Sequence, residues 1–333
     1  MTSAATKVPH RLLTVLLAAV IPLSFTLAAG VWVMTFADEL PNPVALHWGA
    51  DGRPDGFGSL ASSFGLILIV TLQMCALATV IGVGMGRAAA TRRIAVFFGM
   101  WSGVALPWFV AGTLDAQRGL ADAVDAPGVG RAMVTSFGVA VLLAGLAAAL
   151  VPGDARMPAS AAVPADAPRL ALSDSESASW RQGIQVPGFH WIAGAGGLAS
   201  LVLAMLSTIA GVPWAGYWAG IIAFITILLV VMGRWQVEVD HTGVTVSPLI
   251  SWPRTRVPLD EVIQAEVVPV SPLGDFGGWG YRVGREGAVG IVVRSGEALK
   301  VQRTGGRVLV VTVDDAATGA ALLNTLADRA RRR

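Results

Sequence analysis

Six long apolar stretches dominate this sequence and limit its fold more than any other feature. Each is about twenty residues or longer, enough for a helix to cross a hydrocarbon layer about 30 Å thick. Every charged residue of the chain lies outside these stretches, so they cannot be the core of one large soluble domain. The sequence therefore predicts an α-helical membrane protein with six transmembrane helices, at residues 12–36, 62–86, 94–114, 132–151, 192–212 and 214–233.

The distribution of charge predicts which loops face the cytoplasm. With the N-terminus inside, only three of the 24 basic residues fall in outer loops, namely Arg53, Arg118 and Arg131. Cytoplasmic loops are enriched in Lys and Arg, so both termini are expected in the cytoplasm of a bacterial plasma membrane. The outer loops instead carry the acids Asp38, Glu39, Asp51, Asp55, Asp115, Asp122 and Asp125. A net charge of only +2 does not indicate a nucleic-acid partner.

The loops and the tail divide the chain into four regions. Residues 1–151 form a four-helix membrane domain with a patterned outer loop at 37–61. Residues 152–190 are rich in Ala, Pro and Ser and predict a flexible cytoplasmic linker. Residues 191–233 predict a transmembrane helical hairpin, turned at Gly211-Val212-Pro213. Its ends carry Trp191, Trp214, Trp218 and Trp235, where amphipathic rings meet lipid headgroups.

Residues 234–333 predict a small cytoplasmic β domain. Short runs rich in Val and Ile, separated by Gly, Pro and Asp, indicate about seven strands. Thr304-Gly305-Gly306 predicts a hairpin turn between two of these runs. Asp314-Asp315 then predicts the N-cap of a C-terminal helix, whose basic end complements the helix dipole.

The outer loop resembles a known signature. Residues 40–59 read LPNPVALHWGADGRPDGFGS, which is similar to the N-terminal domain of unknown function in SdpI-type membrane proteins. The matching positions are Leu40, Pro41, His47, Trp48, Gly52, Asp55, Gly56, Phe57, Gly58 and Ser59. Leu60 departs from the Lys that often follows in the family. Because that family includes immunity proteins against a secreted peptide toxin, the resemblance implies sensing of an extracellular peptide.

The tail resembles a second group. Strands closed by a C-terminal helix are similar to bacterial pleckstrin-homology-like (PH-like) domains, and RTRVPLDEVIQAEV resembles one of their common segments. The resemblance implies a domain that binds a partner protein or lipid. The combined layout looks like uncharacterised membrane proteins of high-GC actinobacteria.

The outer loop offers one candidate site with three interpretations. Pro41, His47, Trp48, Asp51, Asp55, Gly56 and Phe57 are its candidate residues. A compact structural loop, a surface that recognises a peptide or other ligand, and a metal site all fit the composition. The glycines and Pro54 oppose a helix that would align His47 with the two carboxylates, so no metal is expected. Cys75, the single cysteine, predicts neither a disulfide nor a zinc site.

The tail offers two further candidate surfaces. Phe276, Trp279 and Tyr281 lie among glycines, either as an exposed aromatic loop for the membrane interface or a partner, or as buried closure of the sheet. Arg282, Arg294, Lys300 and Arg303 form a candidate basic surface that would attract anionic lipid. The alternative is an ordinary solvated strand face with interspersed Glu.

No catalytic motif accompanies the apolar spans, so neither an enzyme nor a bound cofactor is expected. Two functions remain. The first is a non-catalytic envelope sensor, immunity or scaffold protein that relays to the cytoplasmic PH-like domain. The second is a transporter of a small uncharged or lipid-like molecule. A polar, water-filled path among the first four spans would favour transport, whereas a closely packed bundle would favour the relay.

Overall fold

The computed structural model describes residues 8–332, except 50, 174–175, 210–218, 221, 224, 228, 231–232, 249–253 and 285–286. The chain divides into two compact units. The helical unit comprises Val8–Gly153, and the unit that begins at Asp154, here called the β unit, contains the rest of the described chain. Each unit has its own apolar core.

Four apolar helices and one β-hairpin build the helical unit. The helices are α1 (Arg11–Met34), α2 (Leu60–Met85), α3 (Ala89–Asp115) and α4 (Gly130–Leu150). Strands β1 (Val44–Trp48) and β2 (Pro54–Gly58) pair antiparallel between α1 and α2. Helix α3 lies at the centre, because it packs against α1, α2 and α4.

Small residues allow α1 and α3 to approach closely. A Cβ atom on Gly99 would collide with the backbone of Ala18, and one on Gly103 would collide with Pro22. The hydroxyl of Thr26 donates to the carbonyl oxygen of Gly103 at 3.2 Å, which adds a hydrogen bond across the contact. Such glycines and hydroxyl groups are typical of helix interfaces within membranes.

Buried aliphatic residues fill one half of the bundle. Their side chains come from α1, α2, α3 and α4, and their small size matches the close helix spacing. The core residues are Leu17, Ala18, Ala78, Val96, Met100, Val104, Ala105, Ala140, Ala144, Ala147 and Val151. This half of the described bundle is therefore closely packed rather than hollow.

Two arginines hold this end of the bundle together. Arg92 is fully buried and donates to the carbonyl oxygens of Gly86 (2.7 Å), Arg87 (3.1 Å) and Pro152 (3.3 Å). Arg93 donates twice to the carbonyl oxygen of Val151. These carbonyls follow the ends of α2 and α4, where helices leave acceptors unpaired. The third span thus begins at Ala89 rather than at residue 94, and both arginines belong to its first turns.

The β unit contains two sheets and a C-terminal helix. The first sheet has the order β3 (Trp180–Gln185), β4 (Arg234–Asp240), β5 (Gly243–Pro248) and β6 (Thr255–Pro258), all antiparallel. The second has the order β7-β10-β11-β9-β8. Its strands are β7 (Val262–Val270), β8 (Gly280–Val283), β9 (Val289–Val292), β10 (Gly296–Arg303) and β11 (Arg307–Thr312). Only β9 and β11 pair in parallel among the described strands.

Helices complete the described part of the β unit. Helix α5 (Phe189–Ile209) lies in the chain between β3 and β4, and described residues from 219 to 230 are also helical. The short helix α6 (Pro272–Phe276) follows β7, and α7 (Ala316–Arg332) ends the chain. Asp315 accepts from the backbone N–H of Thr318, so it caps α7 as expected.

Five of the six expected spans are confirmed by length and composition, as α1 to α5. The sixth, at 214–233, falls partly outside the described residues, as do its turn at 211–213 and Trp214 and Trp218. Trp191 is exposed on α5, but Trp235 is buried within β4 rather than at the end of a span. The alternation of WQVEVD places Trp235 on the inward face of the sheet.

The segment expected to be a flexible linker makes ordered contacts instead. Its end forms β3, which pairs along its whole length with β4. Asn324 of α7 donates to the carbonyl oxygen of Pro168, and the hydroxyl of Thr325 accepts from the N–H of Leu170. The segment was expected to be flexible because it has few large apolar residues to bury. It is ordered because polar side chains of α7 form hydrogen bonds with its backbone groups.

Candidate functional site: a β-hairpin cap over an apolar cavity

The outer-loop motif folds into a β-hairpin whose glycines lie where side chains would collide. A Cβ atom on Gly56 would be 2.8 Å from the Cβ of His47, and one on Gly58 would be 2.6 Å from a methyl carbon of Leu46. Gly52 occupies the left-handed region at φ 78°, as the turn requires. Ser59 then caps α2 by accepting from the N–H of Ser62. The motif is therefore the sequence of a tight hairpin followed by a helix start.

A buried glutamine fastens this hairpin to the end of α3. Gln117 is fully buried, accepts from the N–H of Ala45 at 2.8 Å, and donates to the carbonyl oxygens of Ala45 and Thr113. The amide thus serves both backbone groups of a central hairpin residue. Sequence reasoning missed Gln117, and the only available signal was an uncharged amide directly after a long apolar helix.

The hairpin also packs against the loop between α3 and α4. The indole N–H of Trp48 donates to the carbonyl oxygen of Pro127 at 3.1 Å. Ala45, Ala123 and Ala126 form a small buried cluster, against which Trp48 also packs. Residues 37–59 and 115–129 therefore make one folded layer, here called the cap.

An exposed ion pair adds to the cap. Arg118 donates two hydrogen bonds to the carboxylate of Glu39, at 3.0 and 3.1 Å, and its guanidinium lies 4.6 Å from the centre of the Phe36 ring. The hydrogen bonds from Arg118 lower the pKa of Glu39 below its ordinary value. The contact with Arg118 thus favours the carboxylate form of Glu39.

The remaining candidate residues of the loop differ in exposure. Pro41 is buried, whereas Leu46 and Phe57 are exposed apolar side chains on the hairpin. His47 projects into solvent and lies 2.5 Å from Asp55, measured from Nδ1 to Oδ1. Asp51 accepts from the N–H of Arg53, which closes the turn. Within the described residues, no three His, Cys, Asp or Glu side chains are placed to hold a metal ion.

An apolar cavity of about 820 Å³ lies beside the cap, between α1, α3 and α4. Most of its exposed lining is apolar. Charged or polar groups occur where the helices meet the cap, at Asp115, Arg131 and Thr135. Its further lining includes Phe25, Trp32, Val104, Trp108, Ala132, Ser136, Val139 and Leu143.

Trp108 contributes a stacked aromatic ring to the cavity wall. Its ring stacks on Trp32 at a centroid distance of 5.6 Å. Its indole N–H is buried and has no hydrogen-bond partner among the described residues. A buried donor without a partner is unfavourable to stability. The cavity thus has an aromatic and apolar wall, with polar groups at the end that meets the cap.

The candidate aromatic loop of the β unit is divided between core and surface. Phe276 packs into a buried cluster with Val270, Val292 and Val310, while the side chain of Trp279 is 49% exposed. Tyr281 is partly buried. Buried closure of the sheet therefore describes Phe276, whereas an exposed aromatic side chain describes Trp279.

The candidate basic surface is only partly a surface. Arg282 is exposed, Arg294 pairs with Asp314, and Lys300 lies 2.8 Å from Glu266. Hydrogen bonding by Lys300 lowers the pKa of Glu266. The prediction was wrong for Arg303, which is buried and donates to Glu261 at 2.7 Å.

Comparison with known families identifies the cap region. The family model described as "Domain of unknown function (DUF1648)" matches residues 23–72, from α1 through the hairpin into α2. Residues 23–72 are a DUF1648 domain. This agrees with the SdpI-type resemblance of the loop. No curated protein and no solved structure matches the chain.

The close packing of Gly56 against His47 predicts that a larger residue at position 56 would destabilise the hairpin. Replacement by alanine is expected to destabilise the hairpin by about 1–3 kcal/mol, because the new methyl group would overlap the Cβ of His47. Hydrogen exchange of the amides of residues 44–58 would measure the change in the full chain. Gly65→Ala is the control, since Gly65 lies in α2 with no atom near the added methyl group. Equal protection in both variants would contradict the role given to Gly56.

Proposed function

We propose that this protein is a non-catalytic bacterial plasma-membrane receptor that senses an apolar or amphipathic molecule at the outer face. In this proposal the DUF1648 cap is extracellular, six helices span the membrane, and both termini are cytoplasmic. The charge distribution supports this orientation, since Arg87 and the first turns of α3, with Arg92 and Arg93, are basic and the cap is rich in acids.

The cavity between α1, α3 and α4 is the observation that carries the proposal. Its volume of about 820 Å³ is within the range of ordinary ligand sites, and such sites combine an apolar lining with a few polar groups. Asp115 and Arg131 would face the polar end of the ligand, while Trp32 and Trp108 would contact its body. A segment of a secreted peptide toxin fits this description, and an immunity role is the specific form of the proposal.

The relay would run through the end of α4. Arg92 and Arg93 hold the carbonyl groups of residues 151 and 152, so they fix the end of this helix. Asp154, two residues further along the chain, pairs within the β unit with buried Arg307 at 3.3 Å. Only Gly153 lies between the residues bonded to Arg92 and Arg93 in the helical unit and Asp154, which is paired in the β unit. A ligand that shifts α4 would therefore pull on the β unit through the backbone.

The β unit would be the output domain of this receptor. Two sheets and a C-terminal helix support a PH-like interaction module that binds a cytoplasmic protein. A transporter of an uncharged or lipid-like molecule is the second candidate, because the same cavity is only partly enclosed. The closely packed core around Val96, Ala140 and Ala144 favours the receptor, since transport would require that half of the bundle to open.

Filling the cavity tests the proposal. Thr135→Trp places an indole in the cavity, whereas Val134→Trp places the same group on the lipid-facing side of α4, where Val134 is 74% exposed. The probe is a diazirine-bearing fatty acid, crosslinked to the full chain in vesicles and mapped by mass spectrometry. We expect strong crosslinks to cavity residues, lost severalfold in Thr135→Trp and retained in Val134→Trp.

Two other outcomes have clear meanings. Equal crosslinking of cavity residues in all three proteins would overturn the binding site. Movement of the probe across vesicle membranes, dependent on the protein and blocked by Thr135→Trp, would establish the transporter instead.

A further inference from the structure

Helix α5 and the described helical residues from 219 to 230, which Ser200 joins by donating to the carbonyl oxygen of Ala219, are here called the helical hairpin. They leave the β unit from one end of the first sheet. Strand β3 ends at Gln185, and its neighbour β4 begins at Arg234, which is the residue paired with Gln185. The N–H of Val186 donates to the carbonyl oxygen of Gly233 at 3.1 Å. The ring of Phe189 also covers Gly233 so closely that a Cβ atom there would collide. This end of the β unit is called the hairpin end.

One end of the second sheet lies at the hairpin end as well. A cavity of about 650 Å³ is lined by Gln185 and Arg234 from the first sheet and by Arg294 and Asp314 from the second. Arg294 lies two residues beyond the end of β9, and Asp314 lies two residues beyond the end of β11. The parallel strands β9 and β11 therefore both end near the base of the helical hairpin.

Strand register places the aromatic loop at this same end. Gly280 pairs with Val292 at the end of β9, so Trp279 precedes β8 at the hairpin end. Val270 pairs with Gly296, so the segment that follows β7 starts there too. Strand β7 therefore ends, and strand β8 begins, at the hairpin end, and residues 271–279 connect them there.

Residues 271–279, here called the aromatic segment, have a firm inner side and an apolar outer side. The ring of Phe276 rests on Gly284 and Gly290, where a Cβ atom would leave it no room. Ser271 caps α6 by accepting from the N–H of Gly274, and its own N–H donates to Asp275. Leu273 and Trp279 point away from this core and are 62% and 49% exposed.

We propose that the aromatic segment is a second membrane contact, inserting Leu273 and Trp279 into the headgroup layer of the leaflet that the helical hairpin enters. Tryptophan and leucine beside arginine are typical of such interfaces. Arg234 and Arg282 are exposed in this part of the unit and supply positive charge for anionic headgroups. Of the acids beside them, Asp314 pairs with Arg294 and Asp275 bonds to Ser271.

We assign the aromatic segment to a lipid surface rather than to a protein partner because it lies at the same end of the β unit as the helical hairpin. Helix α5 is 21 residues long and exposes large apolar side chains, among them Leu198, Leu201 and Ile209. If α5 spans the membrane, the end of the β unit from which it emerges lies at the membrane surface. This inference rests on the proposed insertion of α5, and it does not depend on ligand binding in the cavity of the helical unit.

Site-directed fluorescence tests the contact in the full chain. Cys75 is the single cysteine, so Cys75→Ala provides a background without thiols. Trp279→Cys, Leu201→Cys and Ile263→Cys are each labelled with an environment-sensitive fluorophore in phosphatidylglycerol–phosphatidylethanolamine vesicles. Quenching is then compared between lipid-borne spin labels and aqueous iodide.

Ile263 is the matched control, since it is an apolar residue 38% exposed at the opposite end of β7. We expect the label at 279 to emit at shorter wavelength and to be quenched severalfold more by headgroup-proximal spin labels than the label at 263. The label at 201 should be quenched by spin labels deep in the acyl chains. Equal iodide quenching at 279 and 263, with 201 still protected, would overturn the inference and leave the surface to an aqueous partner. Iodide access at 201 would instead refute insertion of α5, and with it both this inference and the six-span topology.

Discussion

Glu261→Gln is expected to lower the free energy of unfolding of the β unit by about 3–5 kcal/mol, because it leaves buried cations without their shared anion. Glu261 is 3% exposed, and one of its carboxylate oxygens accepts from Arg303 at 2.7 Å and from Arg307 at 3.1 Å. Glutamine keeps the shape and an acceptor oxygen for the N–H of Met157, but its NH2 group would then face the two arginine donors, so both the charge and their shared acceptor are lost. Asp154 remains near Arg307, so the loss falls mainly on Arg303.

Hydrogen exchange of the amides of β10 and β11 would measure this effect in the full chain. Glu266→Gln is the matched control, since it breaks the more exposed pair with Lys300 on the same sheet. A pair of that exposure contributes about 0–1 kcal/mol. Similar effects of the two substitutions would show that Glu261 does not hold the buried arginines.

Gln117→Leu should detach the cap from the helices of the helical unit. Leucine has a similar size but no hydrogen-bonding groups, so the N–H and the carbonyl of buried Ala45 would lose their partner. Each unsatisfied buried group costs about 1–3 kcal/mol, and the expected loss is about 2–4 kcal/mol. The helices themselves should remain folded, because the only helical group that this side chain bonds is the carbonyl oxygen of Thr113, near the end of α3.

Limited trypsin digestion would report the detachment, since Arg53 lies at the exposed tip of the hairpin. We expect cleavage after Arg53 to become much faster in Gln117→Leu, as followed by mass spectrometry. Arg118→Gln removes the neighbouring exposed pair with Glu39 and should have a clearly smaller effect. Unchanged cleavage in Gln117→Leu would mean that the packing of Trp48 and the alanine cluster is enough to hold the cap.

Local patterns predicted the elements whose signal lies within a few residues. The period of two in WQVEVD and the apolar run VIQAEVVPV correspond to β4 and β7, and Thr304-Gly305-Gly306 joins β10 to β11. The spans were equally visible, because twenty apolar residues have few alternatives to a membrane helix. Strand β3 was missed, since WRQGIQ has little alternation and its partner β4 is about fifty residues away in sequence.

The candidate site was predicted only in outline for the same reason. The loop signature located the hairpin, and its glycines indicated turns, but Gln117 and the cavity belong to contacts between distant segments. Arg303 illustrates the limit. Its sequence position on a strand suggested a basic surface, but its burial depends on Glu261 and Arg307 from other segments.

The sequence by itself determined that the chain has long apolar helices, a patterned turn-rich loop after the first of them and a separate β-rich region, because hydrophobic length, turn residues and alternation act locally. Only the tertiary structure decided which charges are buried, how the cap is fastened, and that a helical hairpin is inserted between adjacent strands β3 and β4. Those features arise from contacts between residues far apart in the chain, where each side chain's environment is set by its partners rather than by its neighbours in sequence.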